Sequence, residues 1–534
     1  MTTREAIAEI VERRKDHVFL VDAASGSEIT YGEFDRQACA LAVELRKRGL
    51  RKGDRIGVLV PNCCELAVLY FACIYLGVVI VPVNPALSKN EIDFVLKNCK
   101  PSLVVTSVLN AKSIGEVHPK VIGLVIGHDT LNLEDFDQIN IETLDQANDS
   151  VRLEGADADD LIVIMYTSGT SAKPKGLAHK RDRMFRNASA FASAQGIDEH
   201  SRFYLTLSMA YMGGFYNLLV LPFLCGASVV VDRVFDARSS LHFWEKAKKY
   251  EVNTLWMAPT VLSILLKMDR GRTGEEFCRS SIRHAFVGFA PLPLKVKDEF
   301  EERYGVRLIE NYGLSETLFV TARSQAGVDG LGYVGEALPG IALRVVNDDG
   351  DLVATGKDGE VQVLTPDLMA GYLDSNGRLL PTDASAWFAT GDVGCLEDRG
   401  SLSITGRKKD IIIRGGVNIS PAAIEEVLMQ VSGISDVAVV SIPHELYGED
   451  IVAVLKLETG LELDPLLETL VAHAKRSLAP HQQPARYITM DELPRTSSGK
   501  VQKARIRELV AEKLQITSIS NPREAAAESV GVSH

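Results

Sequence analysis

Residues 161–176 read LIVIMYTSGTSAKPKG, an apolar run followed by a loop of small, hydroxylated and basic residues. The β-branched run predicts a buried strand. Glycines and hydroxyls after a strand expose backbone N–H groups to an anion, and Lys173 and Lys175 add positive charge. The segment does not fit the pattern GxxxxGK[ST], so we predict a phosphate-binding loop outside the P-loop class. An ordinary surface turn is the alternative for the loop taken alone.

Similar apolar runs recur on both sides of this segment, separated by longer helical patterns. Continuous apolar strands that alternate with helices predict a parallel sheet covered on both faces. The runs are RIGVLV (55–60), SLVVTS (102–107), ASVVV (227–231) and NTLWMAP (253–259).

Residues 66–83, LAVLYFACIYLGVVIVPV, are about as long and apolar as a membrane-spanning helix. Gly77 interrupts the run, however, and the β-branched residues after it end at Pro82. These features predict a buried helix followed by a buried strand. We therefore expect no transmembrane segment.

The sequence changes character twice in its second half. IALRVV (341–346), GEVQVL (359–364) and SLSITG (401–406) are separated by Asp/Gly turns, which predict a small antiparallel unit. After residue 410, PAAIEEVLMQ (421–430) predicts a helix with Pro421 in its first turn, and strand-like and helical patterns follow it.

We therefore expect an α/β fold with two domains. Residues 1–408 would form a large N-terminal α/β body with parallel sheets and the small antiparallel β unit. Residues 409–517 would form a small α+β C-terminal domain, and residues 518–534 a polar tail.

Composition excludes several functions. The formal net charge of −13 disfavours nucleic-acid binding, because phosphate backbones attract basic surfaces. The eight cysteines are scattered without a CxxC pair, which argues against a disulfide framework or a structural zinc site and favours a reducing compartment. The N-terminus lacks an apolar h-region. We therefore expect a cytoplasmic protein.

Five motifs follow one another along the chain. They are YTSGTSAKPKG (166–176), NYGLSET (311–317), TGD (390–392), GRKKD (406–410) leading into RGGVNI (414–419), and PRTSSGK (494–500). Each is moderately specific, and the ordered set is highly specific. The chain resembles the adenylate-forming superfamily of acyl-CoA synthetases, nonribosomal peptide adenylation domains and luciferases, and it is most similar to an acyl-CoA synthetase. The resemblance extends from about residue 31 to residue 503.

The resemblance implies an ATP-dependent acid–CoA ligase. Such an enzyme activates a carboxylic acid as acyl-AMP with release of pyrophosphate, and then transfers the acyl group to coenzyme A as a thioester. It implies ATP, Mg²⁺ and coenzyme A, a small-molecule acid as substrate, and a small C-terminal domain that rotates between the two half-reactions. A homodimer is a further expectation.

The resemblance also implies roles for individual residues. Lys500 would catalyse adenylation, since a cation stabilises charge that gathers between two anions. Glu316 and Thr167 would assist and hold Mg²⁺, a hard cation that takes oxygen ligands. Lys409 would be the hinge. The implied ATP/AMP-binding residues are Thr167, Ser168, Gly169, Thr170, Lys175, Gly288, Phe289, Ala290, Pro291, Asn311, Tyr312, Gly313, Ser315, Asp392, Arg407 and Lys500. The CoA-binding residues would be Gly415 and Gly416, and the acyl pocket would include Tyr211, Gly288, Phe289 and Gly313.

The chain departs from the family pattern at four positions. Ala172 replaces a usual loop glycine, and Tyr211 replaces a histidine that many acyl-CoA synthetases carry. Phe289 fills a position that is commonly glycine, which should shorten or redirect the acyl tunnel. Gly313 leaves open a spot that tryptophan blocks in acetate-specific enzymes. Together these predict a medium-sized aliphatic or aromatic acid.

Two alternatives remain open at the level of sequence. One is a stand-alone adenylation enzyme that loads the phosphopantetheine of a carrier protein. The other is a non-catalytic nucleotide-binding scaffold, which would have no need for Lys500. Since a lone histidine is more often structural, we expect structural roles for His179, His284, His444 and His481.

Overall fold

The structure is a computed structural model, and it describes residues 3–107, 114, 120–127, 137–144, 159–167, 174–323, 330, 332–398, 400–496 and 500–514. The predicted phosphate-loop residues Ser168, Gly169 and Thr170, together with Ala172 and residues 497–499 of the last motif, lie outside the described residues.

The described helices are α1 (Thr3–Arg14), α2 (Tyr31–Lys47), α3 (Cys64–Leu76), α4 (Lys89–Cys99), α5 (Arg181–Gln195), α6 (Leu221–Cys225), α7 (Phe243–Lys249), α8 (Pro259–Met268), α9 (Thr273–Ser281), α10 (Leu294–Tyr304), α11 (Pro421–Met429), α12 (Leu463–Ser477) and α13 (Lys503–Leu514). A π-helical segment, Gly213–Val220, runs directly into α6. Short 3₁₀ turns lie at Ile141–Thr143, Ser239–His242, Lys408–Asp410 and Pro480–Gln482.

The strands are β1 (Val18–Asp22), β2 (Glu28–Thr30), β3 (Arg55–Leu59), β4 (Val79–Pro82), β5 (Leu103–Ser107), β6 (Val121–Leu124), β7 (Gln138–Ile139), β8 (Leu161–Thr167), β9 (Lys175–Lys180), β10 (Arg202–Leu205), β11 (Ser228–Val231), β12 (Thr254–Met257), β13 (His284–Val287), β14 (Leu308–Glu310), β15 (Gly313–Leu314), β16 (Leu318–Phe319), β17 (Thr321–Ala322), β18 (Tyr333–Ala337), β19 (Ala342–Val346), β20 (Gly359–Leu364), β21 (Gly371–Leu373), β22 (Leu379–Pro381), β23 (Phe388–Leu396), β24 (Ser401–Arg407), β25 (Ile412–Arg414), β26 (Val417–Ile419), β27 (Ile434–His444), β28 (Gly448–Leu457) and β29 (Arg486–Thr489).

Two large, mainly parallel sheets form the body of the protein. One has the order β14-β13-β12-β10-β11-β1-β2 and the other β22-β21-β9-β8-β4-β3-β5-β6-β7. The apolar runs predicted as parallel strands are β3, β5, β8, β11 and β12, and each pairs in parallel with a neighbour. The predicted α/β body is therefore confirmed. Its largest apolar core includes side chains of α2, α3, α5 and the π-helical segment.

The membrane-like stretch is buried inside this body. It forms α3, Gly77 in the left-handed region at φ 71°, and then β4. All eleven residues from Leu66 to Leu76 are buried, so their hydrophobicity serves packing. Over the described ranges, no helix is both long and apolar enough to cross a membrane.

The later strands form two smaller sheets. An antiparallel sheet of the order β17-β18-β24-β23-β20-β19 contains all three strands predicted after residue 340. A final sheet of β25 to β29 is covered by α11 and α12 on one face and by α13 on the other. We call the elements up to β24 the first lobe and those from β25 onward the second lobe.

Candidate active site

The ends of the predicted phosphate loop are fixed by strand pairing. β8 and β9 are antiparallel, with Thr167 opposite Lys175, so the loop between them closes a hairpin at the carboxyl end of β8. Thr167 is half-buried and Lys175 is exposed. A P-loop leads from a strand into a helix, whereas this loop leads into a second strand. Ligands of open α/β sheets bind at this carboxyl edge.

Gly288 and Asn311 lie together at the carboxyl edge of the other parallel sheet. They directly follow the paired strands β13 and β14, and the Asn311 side chain donates to the carbonyl oxygen of Val287 at 3.3 Å. A Cβ added at Gly288 would lie 3.3 Å from Asn311 Oδ1 and 3.7 Å from Trp256 Nε1. A side chain at Gly288 would therefore crowd Asn311 at this edge of the sheet.

Asp392 is the buried anion of the site. Its Oδ2 accepts a 2.6 Å hydrogen bond from the Tyr312 hydroxyl, and its Oδ1 lies 2.6 Å from Arg407 Nε, on the paired strand β24. Burial raises the pKa of Asp392, while Arg407 and Tyr312 oppose that rise. The predicted residues Tyr312, Asp392 and Arg407 thus form one hydrogen-bonded group.

Lys500 projects from the second lobe toward this group. The turn that carries it is closed by hydrogen bonds from Thr496 N to Lys500 O at 2.8 Å and from Lys500 N to Thr496 Oγ1 at 3.1 Å. Lys500 keeps access to solvent, yet surrounding protein desolvates its ammonium and so lowers its pKa; Arg407 adds to this effect, and Glu316 and Asp392 oppose it. Residues from two lobes therefore share one electrostatic site.

Glu316 lies in the turn between the two-residue strands β15 and β16. The Tyr372 hydroxyl donates to its Oε1 at 2.7 Å, and the backbone N–H of Met369 donates to its carbonyl oxygen at 2.7 Å. Burial raises the pKa of Tyr372, so this hydroxyl stays a proton donor. One carboxylate oxygen of Glu316 is thus fixed by Tyr372.

The segment around Glu316 is held in a strained conformation. Leu318 has φ 60°, in the left-handed region that non-glycine residues rarely adopt. The buried Asn187 side chain accepts from Phe319 N at 3.0 Å and donates to Phe319 O at 2.9 Å. These bonds offset the strain by satisfying both backbone groups of Phe319.

His179 supports the same segment from behind. Its Nε2 lies 2.6 Å from the carbonyl oxygen of Ser315, and desolvation lowers the histidine pKa to about 4. The ring is therefore neutral, with Nε2–H donating to Ser315. This contact agrees with the expectation that His179 is structural.

The other three histidines also make structural contacts. His284 stacks on Phe286 in β13, with ring centroids 5.6 Å apart. His444 Nδ1 accepts from the backbone N–H groups of Leu446 and Tyr447, and the His481 carbonyl accepts from Arg414.

Sequence reasoning missed Tyr372 and Asn187. Tyr372 belongs to a strand of three residues, GYL, whose sequence carries no catalytic pattern. Asn187 is a fully buried amide on the core side of α5. The sequence offered one signal for Asn187, which is a polar residue on the buried face of an amphipathic helix. Such a buried group needs hydrogen-bond partners.

The proposed acyl side of the cleft contains a strained phenylalanine. Phe289 has φ 74°, and its half-buried ring packs against both large cores of the first lobe. A Cβ added at Gly213 would lie 2.9 Å from this ring, so the glycine makes room for it. Tyr211 accepts a 3.2 Å hydrogen bond from Asn84 at its hydroxyl.

Gly313 has a local reason to be glycine that the sequence did not reveal. A Cβ there would lie 2.2 Å from the carbonyl oxygen of Leu318 on the paired strand β16. The close pairing of this hairpin therefore excludes a side chain, whatever the size of the acid.

Gly415 and Gly416 lie in a tight turn of the second lobe. They form the β25–β26 turn with φ 59° and 83°, and Gly415 N donates to the carbonyl oxygen of Tyr447 at 2.9 Å. The contacts recorded for Gly415 are thus within the second lobe, whereas Lys500 faces the first.

Two family models match the chain. The model described as AMP-binding enzyme matches residues 7–373, and the model described as AMP-binding enzyme C-terminal domain matches residues 423–500. The chain belongs to the AMP-binding enzyme family. The sequence-based assignment to the adenylate-forming superfamily is confirmed.

Similar proteins cover nearly all of this AMP-binding enzyme. Indoleacetate–CoA ligase of Aromatoleum aromaticum is 30% identical over 501 residues, which cover 91% of this chain and 94% of the relative. Medium-chain fatty-acid–CoA ligase of Escherichia coli (strain K12) is 27% identical over 520 residues, or 93% and 88% of the two chains. The solved structure of ATP-bound MatB from Rhodopseudomonas palustris has a TM-score of 0.83 at 25% identity, covering 95% of this chain and 99% of its own.

Proposed function

We propose that this AMP-binding enzyme is an ATP- and Mg²⁺-dependent acid–CoA ligase. The observation that carries the proposal is the position of Lys500, whose ammonium interacts with Asp392 and Glu316 across the lobes. A cation that is within electrostatic range of a buried carboxylate and of a candidate metal ligand suits phosphoryl chemistry between anions. The two CoA ligases that resemble the chain over about nine-tenths of its length support the same reaction.

The cleft fits a nucleoside triphosphate. The space beside Gly288 and Asn311 suits adenine, with the Tyr312 ring against it. The Asp392 carboxylate, although bonded to Tyr312 and Arg407, has further lone pairs that accept from ribose hydroxyls. Thr167 and Lys175, which pair at the ends of the hairpin, would contact the phosphates.

The donor set also fits Mg²⁺. Glu316 and Thr167 offer a carboxylate and a hydroxyl oxygen, and Mg²⁺ typically takes one or two carboxylates together with substrate phosphates. When bound, the cation would neutralise charge on the phosphate oxygens. Tyr372 would orient Glu316 for that role through its bond to Oε1.

Lys500 would serve the first half-reaction. A carboxylate oxygen of the acid attacks the α-phosphorus of ATP, forming an acyl–phosphate anhydride bond as the α–β bridging P–O bond breaks and pyrophosphate leaves. Lys500 would stabilise the charge that develops at the α-phosphate, and no covalent bond to the enzyme is needed.

A second arrangement of the lobes would serve thioester formation. We place the domain boundary after residue 408, so that residues 1–408 form the large domain and residues 409–517 the small one. Lys409 would be the hinge. Lys408 is bound to the first lobe through Glu360 at 3.0 Å, whereas Asp410 is bound to the second through Arg507 at 3.2 Å. Rotation about this point would bring Gly415 and Gly416 to the cleft, where backbone without side chains admits a thin pantetheine arm.

The substrate we propose is a medium-sized aliphatic or aromatic acid. The Phe289 ring lies against Gly213. In the proposal, this ring takes up volume that an acyl chain would otherwise fill. The cleft would have a charged side that binds the nucleotide and an apolar side that contains the Phe289 ring. These two sides would orient the acid with its carboxylate toward Lys500.

A panel of acids with a pyrophosphate-release readout tests the proposed function. With one or more medium-sized acids, we expect release that depends on ATP and Mg²⁺ and is accelerated by free coenzyme A. Release that responds only to a phosphopantetheinylated carrier protein would indicate the carrier-loading alternative. The absence of release and of ATP–pyrophosphate exchange with every acid, in protein that still binds ATP, would indicate a nucleotide-binding scaffold and contradict the proposal.

A further inference from the structure

The helix α10 begins without a capping side chain of its own. Its N-cap residue is Pro293, whose side chain makes no capping hydrogen bond. The first N–H groups of a helix have no partner within the helix and need an acceptor from elsewhere. Here the acceptor comes from the second lobe, since Leu294 N donates to Oε2 of Glu426 in α11 at 3.2 Å.

This contact lies next to the nucleotide cleft. Residues 288–293 connect β13 to α10, and Pro293 is the last of them. The first turn of α10 therefore fixes the end of this segment that is farthest along the chain from Gly288. One turn further on, the buried Lys297 lies 3.4 Å from Glu310, the residue that precedes Asn311. Fixing the start of α10 therefore holds both segments that border the proposed adenine space.

Glu426 is held at this interface at a cost. The residue is 8% exposed, and its Oε1 has no hydrogen-bond partner within the described part of the chain. Burial raises its pKa, Leu294 N opposes the rise, and the like charge of Asp298 adds to it. A buried carboxylate with one unsatisfied oxygen regains hydration when the lobes separate, so this desolvation cost is present only while the lobes are together.

The neighbouring Glu425 shows the opposite arrangement. Its Oε1 accepts from Val439 N at 2.7 Å and lies 2.7 Å from Lys503 Nζ, both in the second lobe. These two adjacent glutamates of α11 thus have partners in different lobes. Glu425 stabilises its own lobe, and Glu426 reaches across to the other.

We propose that Glu426 is a positioning residue that couples the arrangement of the lobes to the nucleotide cleft. It caps α10 while Lys500 faces Asp392, and it leaves α10 uncapped when the second lobe turns away. The nucleotide side of the cleft is therefore held most firmly in the arrangement that serves adenylation. The coupling to half-reactions rests on the proposed function, whereas the cap itself rests on the contact alone.

Two single variants remove the two partners of this bond. Glu426→Ala removes the acceptor. Leu294→Pro removes the donor, because proline has no N–H and is well tolerated at the first helical position. The matched controls are Glu425→Gln, which changes the within-lobe glutamate, and Leu294→Ala, which shortens the side chain but keeps the N–H. Melting temperatures identify any variant that does not fold.

The first measurement compares the two half-reactions. ATP–pyrophosphate exchange reports adenylation, and thioester formation from preformed acyl-AMP reports the second step. For Glu426→Ala and Leu294→Pro we expect the ratio of adenylation to thioester rate to fall about fivefold, the usual size of a lost cap. The double variant should fall no further than the single variants, and both controls should stay within about twofold of the wild type.

The second measurement is hydrogen exchange at the Leu294 amide. It should become about fivefold faster in Glu426→Ala, and it should keep its wild-type rate in Glu425→Gln. In Glu426→Gln, whose amide oxygen still accepts, the Leu294 amide should stay protected, which provides a test should the alanine variant fail to fold.

An unchanged Leu294 exchange rate in folded Glu426→Ala would overturn the proposal. So would an unchanged ratio of half-reactions, or a double variant whose effect is the product of the two single effects. If the wild type catalysed no exchange with any acid, the proposed function would fail, and the Leu294 amide would still decide whether Glu426 caps α10.

Discussion

At the scale of single residues, Lys500 offers the most direct test of the site. Lys500→Ala should slow ATP–pyrophosphate exchange by about 10²–10³, because one charged donor to the transition state is lost. Thioester formation from preformed acyl-AMP should keep its rate within a few fold, since Gly415 and Gly416 replace Lys500 for that step in the proposed cycle. Single-turnover assays of each half-reaction measure the two effects.

Lys503→Ala provides the matched control for Lys500. It removes a lysine three residues away whose partner is Glu425, within the second lobe. Both half-reactions should then be preserved. Equal slowing of both half-reactions in Lys500→Ala would show that the lysine has no special part in adenylation.

Phe289 links substrate size to backbone strain. Phe289→Gly and Phe289→Ala should both raise kcat/KM for longer acids relative to shorter ones, by about fourfold for each additional buried methylene at ~0.8 kcal/mol. The glycine variant should be the more stable, since alanine at φ 74° retains a strain of roughly 1–2 kcal/mol. Acid chain-length series and thermal unfolding measure these effects.

Gly213→Ala is the complementary change. Its new methyl group would lie 2.9 Å from the Phe289 ring and should narrow the same space, shifting preference toward shorter acids. If a folded Phe289→Gly enzyme showed the wild-type ratio of kcat/KM for long and short acids, Phe289 would lie outside the acyl tunnel.

At the scale of elements, the short β15–β16 hairpin depends on side chains from distant strands and helices. Tyr372→Phe removes the hydroxyl that fixes Glu316 Oε1. The Mg²⁺ concentration for half-maximal pyrophosphate exchange should rise about tenfold, which corresponds to the loss of one hydrogen bond to a charged group at ~1.5 kcal/mol. A Mg²⁺ titration of the exchange rate measures this shift.

Tyr166→Phe serves as the control for this change. It removes a buried hydroxyl that donates to Asn98 Oδ1 at 2.6 Å, a hydrogen bond of similar length. Tyr166 lies in the same sheet as Tyr372. It should lower stability without moving the Mg²⁺ midpoint. A wild-type midpoint in Tyr372→Phe would mean that Glu316 is oriented by its backbone alone.

The elements differ in how far the sequence could predict them. Five strands could be predicted because burial on both faces of a sheet requires a continuous apolar run. They are β3, β5, β8, β11 and β12. β15 and β16 could not be predicted, since each has two residues and their geometry is set by Asn187, more than a hundred residues away in the chain. Motif order revealed Glu316, and long-range hydrogen bonds determine its orientation.

At the scale of the whole molecule, the turn at Lys408–Asp410 joins two separately anchored lobes. Lys409→Pro should slow CoA-dependent turnover more than pyrophosphate release, because proline fixes φ near −65° and a hinge needs two backbone conformations. Parallel assays of pyrophosphate release with and without coenzyme A measure the difference. Lys409→Ala, which keeps backbone freedom, should preserve the wild-type ratio, and equal losses in Lys409→Pro would indicate misfolding instead.

The arrangement of the lobes could not be predicted from the sequence. The motif PRTSSGK identified Lys500 as a candidate, but its approach to Asp392 depends on contacts such as Glu426 with Leu294, which are 132 residues apart. Such contacts leave no periodic pattern in either segment. The sequence therefore offered candidate residues for the site, and docking of the lobes decides which of them lie near one another.

The Trp256 indole beside Gly288 is a natural fluorescent reporter for the proposed nucleotide cleft. The chain has three tryptophans. Trp256 is almost fully buried among Phe191, Phe286 and Phe319, and only 3.7 Å separates its Nε1 from the Cβ position of Gly288. Trp387, by contrast, is half-buried and packs under Arg344 on the antiparallel sheet. An adenine ring that enters next to Gly288 would quench or shift the emission of Trp256, so intrinsic fluorescence can follow nucleotide arrival in the unmodified chain, without a label and before any chemistry occurs.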